Sequence, residues 1–336
     1  MDKWKFAIAP MMGRSDQHCR YFWRLLSKKT RLYTEMITTG ALLHGDSPRF
    51  LKHSPIEQPL AIQLGGCDPS ELAKCSRLAE TNGYEEVNLN CGCPSRRVQS
   101  GNFGASLMLT PSKVASCVAA MRDACSIPVT VKHRLGVDNM DSYDELANFV
   151  GSVAESGCEV FIVHARKALL RKLSPRENRE IPPLNYPWVY RLKNDFPSLK
   201  IVLNGGINSV CEITKHLNFV DGVMVGRKAY EDPWFLTKVD SEIFYDEPLN
   251  ITREDIIQKL VPYIQEQISK GNRLNHITRH LVGLFKGEPR SRWFRKYLAE
   301  HSHDLQADHE ILLNAVMSIH QRQEQTLDKI SGISSC

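Results

Sequence analysis

One stretch of the chain, from Leu60 to Asn90, reads LAIQLGGCDPSELAKCSRLAETNGYEEVNLN. Two short strand-like runs, Leu60 to Leu64 and Glu86 to Asn90, flank a segment with apolar residues at helical spacing. That segment begins with Asp68-Pro69-Ser70-Glu71, an N-cap followed by a proline and an acidic first turn, and it ends at Asn82-Gly83. The stretch therefore predicts a strand, a helix and a second, parallel strand.

The same unit repeats along most of the chain, with eight strand-like runs in all. The runs are Phe6 to Pro10, Leu32 to Glu35, Leu60 to Leu64, Glu86 to Asn90, Val129 to His133, Val160 to His164, Ile201 to Asn204 and Gly222 to Val225. Further helical patterns between them are Pro111 to Cys125, Ser142 to Ser156, Pro187 to Phe196 and Ser209 to Leu217. Eight such repeats predict the α/β fold class, a TIM (β/α)8 barrel. A doubly wound open sheet is the alternative, but no G-x-G-x-x-G pattern follows the first strand.

Beyond Pro248 the pattern is helical only. Helices are predicted at about residues 252–270, 274–286, 289–301 and 307–326. Because an eight-stranded barrel needs no further helices, these segments predict a separate all-helical C-terminal domain. The predicted organisation is a barrel over residues 1–248, a helical domain over 249–326 and a flexible tail over 327–336.

The composition is that of an ordinary globular protein, with 42% hydrophobic and 24% charged residues and a net charge of +5. This mild basic excess is a weak sign of a polyanionic partner. No apolar run is long enough to span a membrane, and none follows Met1 as in a signal peptide, so a cytoplasmic protein without a membrane partner is expected. Its ten cysteines are expected to be thiols. The sequence contains no C-x-x-C pair, so no metal site is predicted.

Active sites of barrels lie at the C-terminal ends of the strands. The residues that close the predicted strands are Pro10, Met11, Gln63, Asn88, Asn90, Lys132, Arg134, His164, Asn204, Gly226 and Arg227. Amide, ammonium, imidazole and guanidinium groups that converge on one mouth favour a site for a flat polar ring that carries a phosphate.

Two glycine-containing turns, Asn204-Gly205-Gly206 and Val225-Gly226-Arg227, follow the last two predicted strands. Many barrels bind phosphate at this place through backbone N–H groups. Glycine lets the backbone approach the anion, and Arg227 can add a charged hydrogen bond. The alternative is that these glycines only turn the chain.

Three polar strand residues each have more than one interpretation. Lys132 is costly inside a barrel unless it meets a negative charge, such as that of a reduced flavin. Its alternatives are the Schiff-base lysine of an aldolase and a paired structural lysine. His164 is interpreted as a phosphate or ring contact or as a satisfied core histidine, and Gln63 as a contact to a ring edge or as a loop cap.

Cys93 lies in Asn90-Cys91-Gly92-Cys93-Pro94, directly after the fourth predicted strand. A loop cysteine at the barrel mouth is not a packing choice, so a chemical role is predicted. A protonated thiol can serve as a general acid. A nucleophilic thiolate needs a basic partner, which His133 or His164 can supply. The residues alone leave both roles open.

Seven motifs in register resemble those of the tRNA dihydrouridine synthases. They are Ala9-Pro10-Met11, Gln63-Leu64-Gly65-Gly66, Asn88 to Pro94, Val131-Lys132-His133-Arg134, Val163-His164-Ala165-Arg166, Asn204-Gly205-Gly206 and Met224-Val225-Gly226-Arg227. Three further stretches resemble the A subfamily, namely Thr34-Glu35-Met36, Leu173 to Arg179 and His276 to His280. Each motif alone is weak, but the resemblance spans about nine-tenths of the chain.

The resemblance implies FMN in the barrel mouth and NADPH as its reductant. It implies FMN contacts at Pro10, Met11, Met12, Gln63, Lys132, His164, Asn204, Gly205, Gly206, Gly226 and Arg227. It implies hydride transfer from the flavin to C6 of a uridine, with a proton from the thiol of Cys93 to C5. The implied substrates are uridines 20 and 20a of the tRNA D-loop. Two departures are Cys91, where relatives usually carry an aliphatic residue, and Met12-Gly13-Arg14, which differs from commoner acidic and aromatic residues.

Two basic clusters are predicted to hold RNA around the mouth. The first cluster follows the sixth strand and contains Arg166, Lys167, Arg171, Lys172, Arg176 and Arg179. The second lies in the helical segment, among the aromatic residues Trp293, Phe294 and Tyr297, and contains Arg273, Arg279, Lys286, Arg290, Arg292, Arg295 and Lys296. The alternative for each cluster is a solvated helix face. The resemblance implies tRNA contacts at Asn90, Asn178, Arg179, Arg292 and Arg295.

Three other functions compete with this interpretation. A flavin-dependent reductase of free pyrimidines would share the flavin residues but would not need the basic helical domain. A lysine-dependent aldolase would use Lys132 and would be colourless. A tRNA-binding protein with an inactive barrel would tolerate loss of Cys93. A monomer is expected, because one tRNA needs only one basic face, and no dinucleotide motif selects NADPH over NADH.

Overall fold

The computed structural model describes residues 3–170 and 172–319. Its strands are β1 Phe6–Ile8, β2 Leu32–Thr38, β3 Leu60–Gly65, β4 Glu86–Cys91, β5 Val129–Arg134, β6 Val160–His164, β7 Lys200–Asn204 and β8 Gly222–Val225. Its helices are α1 Gln17–Leu26, α2 Thr39–His44, α3 Ser47–Leu51, α4 Pro69–Thr81, α5 Arg96–Ser100, α6 Pro111–Ala124, α7 Tyr143–Ala154, α8 Tyr186–Asp195, α9 Val210–His216, α10 Arg227–Glu231, α11 Val239–Glu242, α12 Arg253–Ser269, α13 Leu274–Thr278 and α14 Ser291–His301. Short 3-10 helices form at Pro55–Glu57, Gly104–Leu109, Glu177–Arg179 and Pro233–Lys238.

The eight strands are parallel and lie in the order β1-β8-β7-β6-β5-β4-β3-β2. The circle closes at a parallel bridge between Ala7 and Arg31. There the backbone N–H of Ile8 donates to the carbonyl of Arg31 over 2.9 Å, and that of Arg31 donates to Phe6 over 3.2 Å. With helices between the strands, this is the predicted TIM barrel, which is thereby confirmed.

Local side-chain signals start the helices that the sequence predicts. The carboxylate of Asp68 accepts the N–H of Glu71 at the start of α4 over 2.9 Å. Ser142 and Glu145 form a reciprocal capping box at the start of α7. These hydrogen bonds satisfy amides that have no partner inside the helix, which is why the predicted and observed helix starts agree closely.

The interior of the barrel has an apolar and a polar part. The apolar part contains Ala7, Ala9, Tyr33, Ala61, Val160, Ile162, Val202 and Met224. The polar part centres on Glu86 at the first position of β4, whose side chain is fully buried. Its carboxylate accepts hydrogen bonds from Trp4, Tyr33 and Thr130, over 2.8, 2.6 and 2.6 Å. The guanidinium of Arg31 lies 3.2 Å away, so the buried charge is paired.

The chain divides into two compact units. The first is Met1–Arg20 with Lys29–Gly226, and the second is Tyr21–Lys28 with Arg227–Cys336. The domain boundary predicted at residue 248 stays a prediction. Throughout the described residues, no helix has the length and apolar character needed to cross a bilayer.

The second unit is helical where the structure describes it. The predicted helices at 252–270 and 289–301 appear as α12 and α14, and residues 309–319 are also helical. The predicted helix at 274–286 ends early, at Thr278, and continues as turns. A Cβ atom at Gly283 would lie 2.9 Å from the carbonyl oxygens of Tyr230 and Glu231, so this segment follows tertiary contacts rather than helical periodicity. Residues 320–326 and the predicted tail at 327–336 lie outside the described residues.

Candidate active site

The strand register brings the predicted polar side chains to one mouth of the barrel. Asn90 of β4 is paired with Lys132 of β5, and His164 of β6 is paired with Asn204 of β7. Asn90 donates to Gln63 over 2.8 Å, and the ammonium of Lys132 donates to Asn204 over 2.9 Å. These five side chains therefore form one continuous arc across five neighbouring strands.

Cationic side chains lie close to Lys132 and His164 of this arc. Burial, and then the neighbouring guanidinium of Arg134, lower the pKa of Lys132 to about 7. Burial, and then the cations Arg134, Lys132, Arg166 and Arg179, lower the pKa of His164 well below its ordinary value. His164 is therefore neutral at pH 7, and an anion in the mouth would relieve the repulsion among these groups.

A glycine turn after β7 comes very close to His164. Gly205 and Gly206 have φ angles of +115° and +75°, which side chains rarely adopt. A Cβ atom on Gly205 would lie 2.6 Å from Cδ2 of His164. The hydroxyl of Tyr186 donates to the carbonyl of Gly205 over 2.7 Å and holds the turn in place.

Gly226, after β8, differs from Gly205 because the protein leaves space beside it. A Cβ atom there would come no closer than 3.7 Å, to the Cβ of Ala9. Neither backbone strain nor close packing therefore requires a glycine at this position. The free space suits the close approach of a ligand to the backbone.

The backbone of the Cys93 loop is held on both sides. The N–H groups of Gly92 and Cys93 donate to the side-chain oxygen of Asn90 over 3.2 and 3.0 Å. The carbonyl of Gly92 accepts from Nε of Arg134 over 3.0 Å, and that of Cys93 accepts from the N–H of Ala105 over 2.9 Å. With four backbone atoms held, the partly exposed Cys93 retains freedom mainly in its thiol torsion.

Cys91 and His133, whose roles beside Cys93 the sequence left undecided, lie away from the mouth. Cys91 is a free, fully buried thiol whose pKa is raised well above the ordinary value by burial. His133 packs against Phe149 and Phe161 on the face of β5 opposite Lys132, and burial lowers its pKa to about 4. His133 is therefore not a basic partner for Cys93.

The segment after β1 carries the predicted contacts Pro10, Met11 and Met12. The N–H of Met11 donates to the hydroxyl of Ser15 over 2.9 Å, while the side chain of Met12 is 70% exposed. Arg227, the last predicted contact, begins α10.

The loop after β6 is ordered by Asn178. Its side chain is fully buried, accepts the N–H of Leu169 over 2.7 Å and donates to the carbonyls of Leu169 and Leu173, each over 3.0 Å. The guanidinium of Arg134 donates to the backbone carbonyl of Asn178 over 2.8 Å. Asn178 thus shapes the loop that carries Arg179. Arg171, also assigned to this basic cluster, lies outside the described residues.

Three members of the basic cluster of the second unit lie on one face of α14. Arg292, Arg295 and Lys296 are exposed, while Phe294 and Leu298 on the opposite face are buried. The guanidinium of Arg292 lies 5.5 Å from the ring centre of Trp293. This face offers charge and an aromatic ring together.

Sequence reasoning missed Tyr186, Glu86 and Thr130, and it placed Arg134 at the mouth without a role. Tyr186 fixes the glycine turn, Arg134 links two loops, and Glu86 and Thr130 bind each other in the barrel interior. One signal was available: Glu86, Asn88 and Asn90 alternate along β4, which predicts three polar side chains on the same inner face.

Comparison with known proteins assigns the class. The family model described as "Dihydrouridine synthase (Dus)" matches residues 7–321, so the chain belongs to the dihydrouridine synthase family and the resemblance noted in its motifs is confirmed. Enzymes of this family are oxidoreductases.

Individual relatives match over nearly their whole length. A "tRNA-dihydrouridine(20/20a) synthase" of Escherichia coli O6:H1 is 54% identical over 93% of this chain and 95% of its own. Relatives with the same name from Salmonella typhi and Synechocystis sp. are 54% and 53% identical, over 94% and 93% of this chain and 95% and 93% of their own.

Proposed function

We propose that this protein is an FMN-dependent tRNA-dihydrouridine synthase that uses NADPH to reduce the C5=C6 bond of D-loop uridines 20 and 20a. The names of its relatives support the substrate and the positions. The observation that carries the proposal is the firmly held Cys93 loop at the rim of a mouth that also contains Lys132 and His164. A tRNA substrate also favours a cytoplasmic location, and one basic face favours a monomer.

The residues present fit FMN. The positive-φ turn at Gly205 and Gly206, the open space at Gly226 and the nearby cations suit its phosphate. The residues proposed to hold FMN are Pro10, Met11, Met12, Gln63, Lys132, His164, Asn204, Gly205, Gly206, Gly226 and Arg227. When bound and reduced by NADPH, FMN supplies the hydride for C6 of the uracil ring.

Cys93 completes the reduction by delivering a proton from its thiol to C5. One hydride and one proton saturate the double bond, and solvent returns a proton to the thiolate that remains. The charge on that thiolate interacts favourably with Lys132 and Arg134, since a negative Cys93 raises the pKa of both.

Direct tRNA contacts are proposed at Asn90, Arg179, Arg292 and Arg295, with the buried Asn178 in a supporting role. A uridine must leave the folded tRNA to reach the mouth, so further contacts have to hold the rest of the tRNA. The exposed Arg292 and Arg295 suit phosphate groups. The buried Asn178 acts by ordering the loop of Arg179.

Mass spectrometry of dihydrouridine tests this proposal. Unmodified tRNA transcript and tRNA from cells deficient in the modification are incubated with the purified protein, FMN and NADPH. We expect new dihydrouridine at positions 20 and 20a, greatly reduced in Cys93→Ala and unchanged in the control Cys211→Ala, which removes an exposed thiol.

The other outcomes point elsewhere. A yellow protein that NADPH reduces but that leaves tRNA unmodified would favour a reductase of free pyrimidines. A colourless protein that takes up no FMN would overturn the proposal.

A further inference from the structure

A line of hydrogen-bonded side chains crosses the barrel interior from the start of β4 to the Cys93 loop. We call it the interior chain; its members are Glu86, Thr130, Asn88, Gln63 and Asn90. The members lie on the neighbouring strands β3, β4 and β5, and four of the five are at most 1% exposed. Asn90, at the mouth, is 8% exposed.

Each link of the interior chain is short. The hydroxyl of Thr130 donates to Glu86 over 2.6 Å, and the amide of Asn88 donates to Thr130 over 2.7 Å. The amide of Gln63 donates to Asn88 over 2.7 Å, and that of Asn90 donates to Gln63 over 2.8 Å. The oxygen of Asn90 then accepts the N–H groups of Gly92 and Cys93.

The two ends of the interior chain impose the same direction on it. The carboxylate of Glu86 is only an acceptor, so the hydroxyl proton of Thr130 points to it and the hydroxyl oxygen accepts from Asn88. The N–H groups of Gly92 and Cys93 are only donors, so Asn90 must present its oxygen to them. Every side-chain amide between these ends is thereby held in one of its two orientations.

Glu86 is a rigid end point. It is fully buried, accepts from Trp4 and Tyr33 as well as Thr130, and is paired with Arg31. A carboxylate with these partners cannot rotate without breaking several bonds at once. The other end is the loop whose remaining freedom is mainly the thiol torsion of Cys93.

We propose that Glu86, Thr130 and Asn88 are positioning residues that act through Gln63 and Asn90 to fix the orientation of the Cys93 thiol. The proposal rests on the proposed function in one respect, the role of Cys93 as the proton donor. It extends the functional site from the mouth to the opposite end of β4.

Loss of one hydrogen bond in the interior chain destabilises the hydrogen bonds between that point and the Cys93 loop. In Thr130→Val, a side chain of nearly the same shape leaves the amide of Asn88 without an acceptor. If Asn88 turns over, its nitrogen faces the nitrogen of Gln63, and Gln63 and then Asn90 must turn as well. Asn90 would then present a donor to the N–H groups of Gly92 and Cys93, and the loop would lose its hold.

The test compares three variants of the full-length protein on β5. Thr130→Val breaks the chain, Thr130→Ser keeps the hydroxyl, and Val131→Ala destabilises the same strand on its other, buried face. The first readout is the rate at which iodoacetamide alkylates Cys93, followed by peptide mass spectrometry from about pH 6 to about pH 9. The second is kcat and KM for dihydrouridine formation in tRNA.

For Thr130→Val we expect an altered alkylation profile of Cys93 and a kcat lower by about tenfold, with KM for tRNA little changed. Thr130→Ser should restore both, and Val131→Ala should lower the Tm without moving either. A wild-type alkylation profile and kcat in Thr130→Val would overturn the inference, and so would equal effects in Val131→Ala. If the wild-type protein forms no dihydrouridine, the proposed function fails, while the alkylation measurement still decides the role of the interior chain.

Discussion

At the scale of single residues, Lys132 and His164 have charge states that depend on what occupies the barrel mouth. Burial lowers the pKa of both groups, and neighbouring cations lower it further. A bound anion reverses the second effect, because it stabilises the protonated form of each group. Their titration therefore reports on ligand binding.

We expect FMN or inorganic phosphate to raise the pKa of His164, since negative charge nearby favours the imidazolium form. NMR titration of the imidazole signals with and without each ligand measures the change. The signal of exposed His276 is the internal control and should be insensitive to either ligand. A His164 midpoint that stays constant at saturating FMN would contradict a phosphate site beside it.

Lys132 gives the ligand-free protein a pH-dependent stability. Its pKa is about 7 in the folded protein, against an ordinary value of 10.5, so between these values the unfolded chain binds one proton more. This group's contribution to the free energy of unfolding therefore rises from about pH 7 to about pH 10 and is lost as the pH falls towards 7. Urea unfolding of wild type and Lys132→Met at several pH values checks this sign. A difference between the two proteins that does not vary with pH would show the shift to be wrong.

At the scale of secondary-structure elements, a glycine follows each of β7 and β8, and the two glycines meet different structural requirements. Gly205 has a positive φ and contacts His164 closely, whereas Gly226 has open space beside it. The first is required by the fold, and the second is explained by a ligand.

Substituting each glycine by alanine separates these reasons. Gly205→Ala is expected to destabilise the protein by about 1–3 kcal/mol through backbone strain and the clash with His164. Gly226→Ala should leave the Tm nearly unchanged but weaken FMN binding. Thermal unfolding and quenching of FMN fluorescence measure the two effects. Full FMN affinity in Gly226→Ala would remove Gly226 from the proposed phosphate site.

The secondary-structure elements differ in how well the sequence predicts them. The strands were predictable because buried parallel strands are short apolar runs between turn residues, and α4 and α7 because caps are local signals. The early end of α13 was not predictable, because the close approach of Gly283 to Tyr230 and Glu231 joins segments about fifty residues apart. The interior chain was not predicted for the same reason, because its hydrogen bonds join side chains on three different strands.

At the scale of the whole molecule, the second unit supplies an exposed basic surface on α14. The sequence predicted these charges, but the structure was needed to separate exposed Arg292 and Arg295 from buried Phe294 and Leu298. A helix with charges on one face and core residues on the other can contact a polyanion without loss of packing.

We expect Arg292→Ala with Arg295→Ala to weaken tRNA binding and to reduce the dependence of log Kd on log salt by roughly one to two units. Filter binding or fluorescence anisotropy over a range of salt concentrations measures both. Lys74→Ala with Arg77→Ala on α4 removes the same charge from another exposed surface and serves as the control. Equal effects from the two pairs would mean that net charge, not the α14 face, governs affinity.

Arg134 makes the lengths of two loops at the mouth depend on each other. Its guanidinium binds the carbonyl of Gly92 in one loop and those of Lys167 and Asn178 in the other, over 3.0, 3.2 and 2.8 Å. Since these three distances must be kept together, a residue gained or lost in one loop has to be compensated in the other. The two loops are therefore expected to change length together when such enzymes diverge, whereas loops that Arg134 does not bind are free of this constraint.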